Sequence, residues 1–292
     1  MVGMSNTPIP TFSLIDGAEM PQIGFGTYKL HGDEAVRMVR EAIAAGYRHI
    51  DTASLYDNEG AVGQGIRDAI AAGDVTREEL FVATKAWNNE QGKDEIPQAF
   101  RRSLARLGLD YLDLYLLHWP WPQRGLYNES FEAMAKLQGL GDVQSIGVCN
   151  FYEEVLQDLV DATGVTPAIN QVEMHVGFSQ APLRQLHSEL GVVGQAWAPL
   201  GRGVLMENPE VRSIAANHGV SEAQIVLAYL LNKGVSVIPK TATPARLLEN
   251  AAAVDIELEP AELASLDALD GVEGIGRLSG DPREFPGEVR QN

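Results

Sequence analysis

The chain has 292 residues, 45% of them hydrophobic and 21% charged, and its 22 Lys and Arg face 40 Asp and Glu for a formal net charge of -18. That length supports one large core or two smaller ones, while the acidic balance speaks against nucleic acid and anionic membrane as partners, which require clustered Lys and Arg. A single cysteine, Cys149, excludes an intrachain disulfide and suits a reducing cytoplasm.

The first predicted element is a hairpin at about 11–21, in which Asp16-Gly17 supplies the turn between two short strands. Eight short strands follow, at 22–26, 49–52, 81–84, 112–117, 145–148, 168–172, 192–197 and 235–239. Amphipathic helical segments alternate with them, among them 33–45, 59–72, 94–107, 128–137, 153–162, 182–190 and 221–232. Gly46, Gly73, Gly108, Gly191 and Gly234 stand where helices should end, and Asp94 and Ser221 where two should be capped. The tail, 271–292, is rich in Gly, Pro and charge and reads as a loop over a pocket. No basic segment followed by an apolar run opens the sequence, and no stretch approaches the roughly 20 apolar residues of a membrane span, so a cytoplasmic protein is expected. No apolar patch stands out, and a monomer is the default expectation.

Eight strand–helix units in one chain favour an α/β fold, a single (β/α)8 TIM barrel over residues 1–292 with the N-terminal hairpin closing its bottom. The competing fold, a doubly wound open sheet, should carry G-x-G-x-x-G after its first strand. Here the first strand runs Gly24-Phe25-Gly26-Thr27-Tyr28-Lys29, which does not fit. Gly60, Gly63 and Gly65 lie inside a helical pattern and read as a close-packed helix start.

Barrel enzymes build their sites at the C-terminal ends of the strands. The second strand ends at Asp51 with Tyr56 just beyond, the third at Lys85, the fourth at His118, the fifth at Cys149-Asn150, the sixth at Gln171, the seventh at Trp197 and the eighth at Lys240. Taken singly, Asp51 reads as a cap, Tyr56 as a loop residue and His118 as a core histidine. Lys85, after a mostly apolar run, is harder to dismiss, because a buried ammonium needs a partner. Together the four make a coherent acid–base unit. Lys85 would favour the phenolate of Tyr56, Asp51 would hold Lys85 charged, and His118 would orient a carbonyl.

Long ordered motifs also carry a resemblance. They are Met20-Pro21-Gln22-Ile23-Gly24-Phe25-Gly26-Thr27, Gly46-Tyr47-Arg48-His49-Ile50-Asp51-Thr52-Ala53 with Tyr56-Asp57-Asn58-Glu59, the stretch 104–118 with Trp119-Pro120, and Ile238-Pro239-Lys240 with Arg246 and Glu249-Asn250. In these the chain resembles the aldo-keto reductases nearly end to end, and within them the bacterial 2,5-diketo-D-gluconic acid reductase-like branch. The resemblance implies NADPH-dependent reduction of small aldehydes, ketones, dicarbonyls or sugar-derived ketones, with Tyr56 as proton donor, Lys85 and Asp51 tuning it, His118 positioning the carbonyl, and no metal.

It further implies that Asn150 and Gln171, with Cys149 where the family usually has Ser, hold the carboxamide of the nicotinamide. Trp197 would stack on its ring, and Ala198, Pro199, Leu200 and Gly201 would clamp the pyrophosphate. Gly26, Thr27, Tyr28 and Asp51 would form the opposite wall. Lys240, Thr241 and Arg246 would receive a 2′-phosphate, and Glu249 and Asn250 the adenine. A carbonyl substrate is expected among Phe25, Tyr56, Trp87, His118, Trp119 and Trp121, with the tail after Gly271 over it. Other readings stay open: Lys85 as a Schiff-base lysine of a barrel aldolase, a cofactor-binding subunit without catalysis, and Glu173 with His175 as half of a metal site, which lacks a third ligand at suitable spacing.

Overall fold

In the computed structural model, which describes residues 9–284, strands β1 (Thr11–Ser13) and β2 (Glu19–Pro21) form an antiparallel hairpin with Phe12 opposite Met20. The turn between them is closed by Leu14 N–H to Ala18 O at 2.8 Å and Gly17 N–H to Leu14 O at 2.9 Å. Leu14, Ala18 and Met20 pack with Phe81, Ala83, Leu114, Leu116, Cys149, Ala168 and Ile169, so the hairpin plugs the barrel with apolar side chains from below.

The first half of the barrel runs β3 (Phe25–Gly26), α1 (Gly32–Ala44), β4 (His49–Asp51), α2 (Glu59–Ala72), β5 (Phe81–Ala86), α3 (Ile96–Leu107), β6 (Leu112–Leu117) and α4 (Tyr127–Leu140). The second half runs β7 (Val143–Cys149), α5 (Glu153–Thr163), β8 (Ile169–Glu173), α6 (Ala181–Leu190), β9 (Val193–Trp197), α7 (Pro209–His218), α8 (Glu222–Asn232) and β10 (Ser236–Val237). Helices α9 (Pro244–Ala251) and α10 (Pro260–Asp267) follow. Strands β3 to β10 pair in sequence order and all in parallel. An Ile23–Val237 bridge then joins the two ends, with Gly24 N–H to Val237 O and Val237 N–H to Gln22 O, both at 2.9 Å. The fold is the expected (β/α)8 barrel.

Two boundaries in the first half differ from expectation. The strand expected at 22–26 is regular only at Phe25–Gly26, its earlier residues joining the barrel through the Ile23–Val237 bridge, and at Gly26 the backbones meet closely: a Cβ there would stand 2.8 Å from Ile238 O. Asp94 does not cap α3, which starts at Ile96 after Glu95. Helices α7, α9 and α10 each open on a proline at the first position, where its missing N–H costs nothing. Ser221 does cap α8, accepting from Gln224 N–H in a capping box.

Gly63 settles the meaning of the glycine cluster. It lies in α2, and a Cβ there would meet Leu107 O at 1.9 Å, so the glycine lets α2 rest on the end of α3 and no phosphate loop is involved.

Strand parity fixes what faces inward. On β4, Ile50 joins the layer under the helices, while His49 and Asp51 turn into the barrel. The same alternation carries Lys85, His118, Cys149, Gln171 and Trp197 to the inner side at the C-terminal rim.

Candidate active site

At the centre of the rim Lys85 and Asp51 form an ion pair of 2.6 Å with side chains 0% and 2% exposed. An ammonium has three protons to place. One goes to Asp51 Oδ1 at 2.6 Å and one to Thr52 O at 2.8 Å, while the ring of Tyr56 lies beside the ammonium and its phenol feels the Lys85 charge. Burial works against the Lys85 charge, but Asp51 and the Tyr56 oxygen outweigh it and hold its pKa above the ordinary lysine value. Lys85 is therefore a fixed cation at neutral pH.

Tyr56 sits in a short helical turn, Ser54–Tyr56, after β4. Its ring lies 5.1 Å from Lys85 Nζ and meets His118 edge-on at 5.6 Å. Lys85 lowers the phenol pKa as anticipated. Burial raises it more, and the balance is a pKa pushed up to about 12. The expected lowering by Lys85 is present but outweighed, so the group rests as a neutral phenol whose conjugate base would find an ammonium waiting.

His118 follows the last residue of β6 and is 8% exposed. Burial, and then Lys85, hold its pKa well below the histidine norm, so the ring is a neutral imidazole able to donate one N–H. Its Nδ1 has no protein partner among the described residues. Trp87 crosses its face at 4.9 Å and 82°. On the other side Tyr28, 52% exposed, leans on Tyr56 at 5.0 Å. The base of the mouth is thus a phenol and an imidazole between two aromatic walls.

Phe25 is not part of this mouth. It is fully buried on the outward face of β3, paired in register with Ile50 and edge-on to Tyr47 at 6.3 Å. Trp119 is 7% exposed and its carbonyl accepts from Gln91 Nε2 at 2.7 Å, while Trp121 is half-buried beneath Arg124. Parity could have excluded Phe25 and favoured Tyr28 as a mouth residue.

The next strand ends supply amides. Asn150 has a left-handed backbone, φ 64°, unusual for a residue other than glycine, and a sign of a position held by its surroundings. It donates to His118 O at 2.9 Å and accepts from Trp197 Nε1 at 2.9 Å. Gln171 Nε2 donates to Asp51 Oδ2 at 2.9 Å. The Cys149 thiol is fully buried, and burial pushes its pKa up, so it is an inert thiol beneath these groups. Thr27 is engaged in structure, its hydroxyl donating to Asp51 O at 2.9 Å and its carbonyl accepting from Asn58.

Beyond β9, Ala198 (φ 49°), Gly201 (φ 54°) and Arg202 (φ 52°) turn the chain left-handed, with Pro199 buried and Leu200 half-buried. Lys240 and Arg246 are exposed and take no part in an ion pair among the described residues. Thr241 is buried ahead of α9, on which Arg246, Glu249 and Asn250 ride. These three residues and Lys240 thus gather at one helix, over 40 residues in sequence from Trp197.

Glu173, the last residue of β8, has a task sequence reasoning missed. Its carboxylate accepts the backbone N–H of Leu278 at 2.6 Å and of Ser279 at 3.1 Å. Arg277 packs against the rings of Tyr152 and Phe178 at 5.1 and 5.0 Å, and Gln123 Nε2 donates to Arg283 O at 2.9 Å. The tail therefore runs across the loops that follow β6, β7 and β8. Its part beyond 284 lies outside the described residues. His175 Nε2 stands 3.5 Å from Glu173 Oε1, and no cluster of three or more candidate metal ligands occurs among the described residues. No helix among them is long and apolar enough to cross a membrane.

The family model of the aldo/keto reductases matches residues 22–271. An aldo-keto reductase of Mycobacterium sp. (strain JLS) is 43% identical over 276 residues, covering 94% of this chain and 98% of the relative. Morphine 6-dehydrogenase of Pseudomonas putida is 40% identical over 288 residues, covering 94% and 95%. The crystal structure of a Bombyx mori aldo-keto reductase in complex with NADP superposes with a TM-score of 0.88 at 35% identity, covering 96% of this chain and 98% of the silkworm protein. With its barrel, its rim of acid–base residues and this extent of likeness, the chain belongs to the aldo/keto reductase family.

Proposed function

We propose that the protein is an NADPH-dependent carbonyl reductase in which Tyr56 gives the proton. The observation that carries this reading is the neutral phenol of Tyr56 held against the Lys85 ammonium, beside a neutral His118.

The donor set fits the cofactor. Lys240 and Arg246, exposed and in no ion pair among the described residues, stand by the N-terminus of α9, a favourable setting for a 2′-phosphate. Asn150 and Gln171 would face the carboxamide, with Cys149 packed beneath them, and Trp197 the ring. The silkworm relative's crystallisation with NADP supports the same choice. When bound, the cofactor supplies the hydride.

The chain's own residues do the rest. A carbonyl between Tyr28 and Trp87 would bring its oxygen within reach of both Tyr56 and His118. The imidazole N–H donates to that oxygen and orients it. As negative charge develops there, Tyr56 passes its proton, and Lys85 stabilises the phenolate left behind. Asp51 keeps Lys85 in place and charged. A phenol with a pKa pushed up to about 12 carries its proton at neutral pH, as a proton donor to the carbonyl oxygen must. The aromatic walls suit small aldehydes, ketones and dicarbonyls, including sugar-derived ketones as in the diketo-gluconate reductase-like branch. A Schiff base on Lys85 is disfavoured, because the amine would first have to lose a proton that its neighbours hold tightly.

The test is NADPH oxidation with a panel of small carbonyls, comparing wild type with Tyr56→Phe. The variant should lose at least about a hundredfold in kcat while binding NADPH as before. Full turnover by Tyr56→Phe would exclude Tyr56 as the donor.

A further inference from the structure

We propose that Gln195 is a positioning residue of the cofactor site: it locks the side-chain amide of Gln171 so that Gln171 presents only its carbonyl oxygen to the carboxamide. The inference rests on the NADPH reading above.

Register places the actors side by side. Gln171 on β8 is the cross-strand partner of Gln195 on β9, which is in turn the partner of Ser236 on β10. All three side chains face inward and are 0–2% exposed. Polarity then propagates from one end. Asp51, a carboxylate paired with an ammonium, can only accept. The Gln171 atom 2.9 Å from Asp51 Oδ2 must therefore be the nitrogen, Nε2. That nitrogen has a second proton, and Gln195 Oε1 takes it at 2.7 Å. Gln195 is left with its own nitrogen free to donate, and it does so to Ser236 Oγ at 3.1 Å and to Met20 Sδ at 3.6 Å.

Each amide proton in this chain is matched to an acceptor, and both amides have one orientation. Both protons of Gln171 Nε2 are consumed, and among the described residues no donor reaches its Oε1. What Gln171 can offer a ligand is thus an acceptor, suited to the N–H of a carboxamide. Without Gln195, one proton of Nε2 has no partner inside the barrel, and the amide is free to rotate away from Asp51.

Substitutions at Gln195 separate this role from simple packing, because the two predict opposite orders. Gln195→Met keeps the volume and removes both amide functions. Gln195→Glu restores an acceptor for Gln171, and the Ser236 hydroxyl can turn to donate. NADPH affinity is read by quenching of tryptophan fluorescence, with a thermal midpoint for each variant to confirm folding. Positioning predicts that Gln195→Met weakens NADPH about tenfold, the worth of one buried hydrogen bond, while Gln195→Glu stays within about twofold of wild type. In a Gln171→Ala background, Gln195→Met should add nothing. Wild-type affinity in Gln195→Met, weaker binding by Gln195→Glu than by Gln195→Met, or additive losses in the double variant would each overturn the proposal. If Gln171→Ala alone leaves NADPH affinity unchanged, the carboxamide reading of Gln171 fails, and the inference with it.

Discussion

Replacing Lys85 with Met tests whether the ion pair at the centre of the barrel is structural as well as chemical. In the wild type both charges are out of water, with side chains 0% and 2% exposed. Removing the ammonium leaves Asp51 with Gln171 as its remaining side-chain partner. An unpaired buried charge costs about 3–5 kcal/mol, which for a chain of this size lowers the thermal midpoint by roughly 5–10 °C. The double variant Lys85→Met, Asp51→Asn removes both charges and should recover most of that loss. Catalysis should not recover, because the phenolate of Tyr56 would still lack its cation. Calorimetry on the three proteins, with NADPH oxidation alongside, reads both effects. A Lys85→Met protein as stable as wild type, or a double variant that regains turnover, would refute the reasoning.

Arg246→Ala should raise KM for NADPH much more than for NADH, because only the former carries the 2′-phosphate; equal effects would remove Arg246 from that role. Acid should destabilise the protein through its buried histidines. Burial holds His49 and His187 down to about 4, so each is neutral in the folded state while the unfolded chain takes up a proton near 6.5. Their contribution is complete above pH 6.5 and is lost as pH falls toward 4, by about 2 kcal/mol each at pH 5. Urea midpoints at pH 7 and pH 5 measure it, and His187→Gln should flatten the slope by one proton; an unchanged slope would argue against a buried neutral His187. Glu173→Ala should free the tail from its two backbone hydrogen bonds, so trypsin should cut after Arg277 at least about tenfold faster; unchanged cleavage would mean that the aromatic contacts of Arg277 hold the tail unaided.

Sequence by itself determined the barrel, the plugging hairpin and the strand ends at which chemistry is gathered. It could do so because these depend on local periodicity and on one topological rule, that successive parallel strands present their C-terminal ends on one rim. Asp51, Lys85 and His118 were legible for that reason. Tertiary structure decided what depends on distant surfaces meeting. At the barrel seam Gly26 meets Ile238 too closely for any side chain. The outward turn of Phe25 takes it from the mouth and leaves Tyr28 there. Glu173 looked like half of a metal pair until the tail, a hundred residues away, delivered two N–H groups to it. The phenol of Tyr56 was expected to be eased toward phenolate by Lys85, and only the depth of its burial, a property of the whole barrel, reversed the balance. Gln195 belongs to both accounts: its inward parity is written in the sequence, but its partner on each side comes from a neighbouring strand, and the direction of its hydrogen bonds is dictated by Asp51 across the barrel.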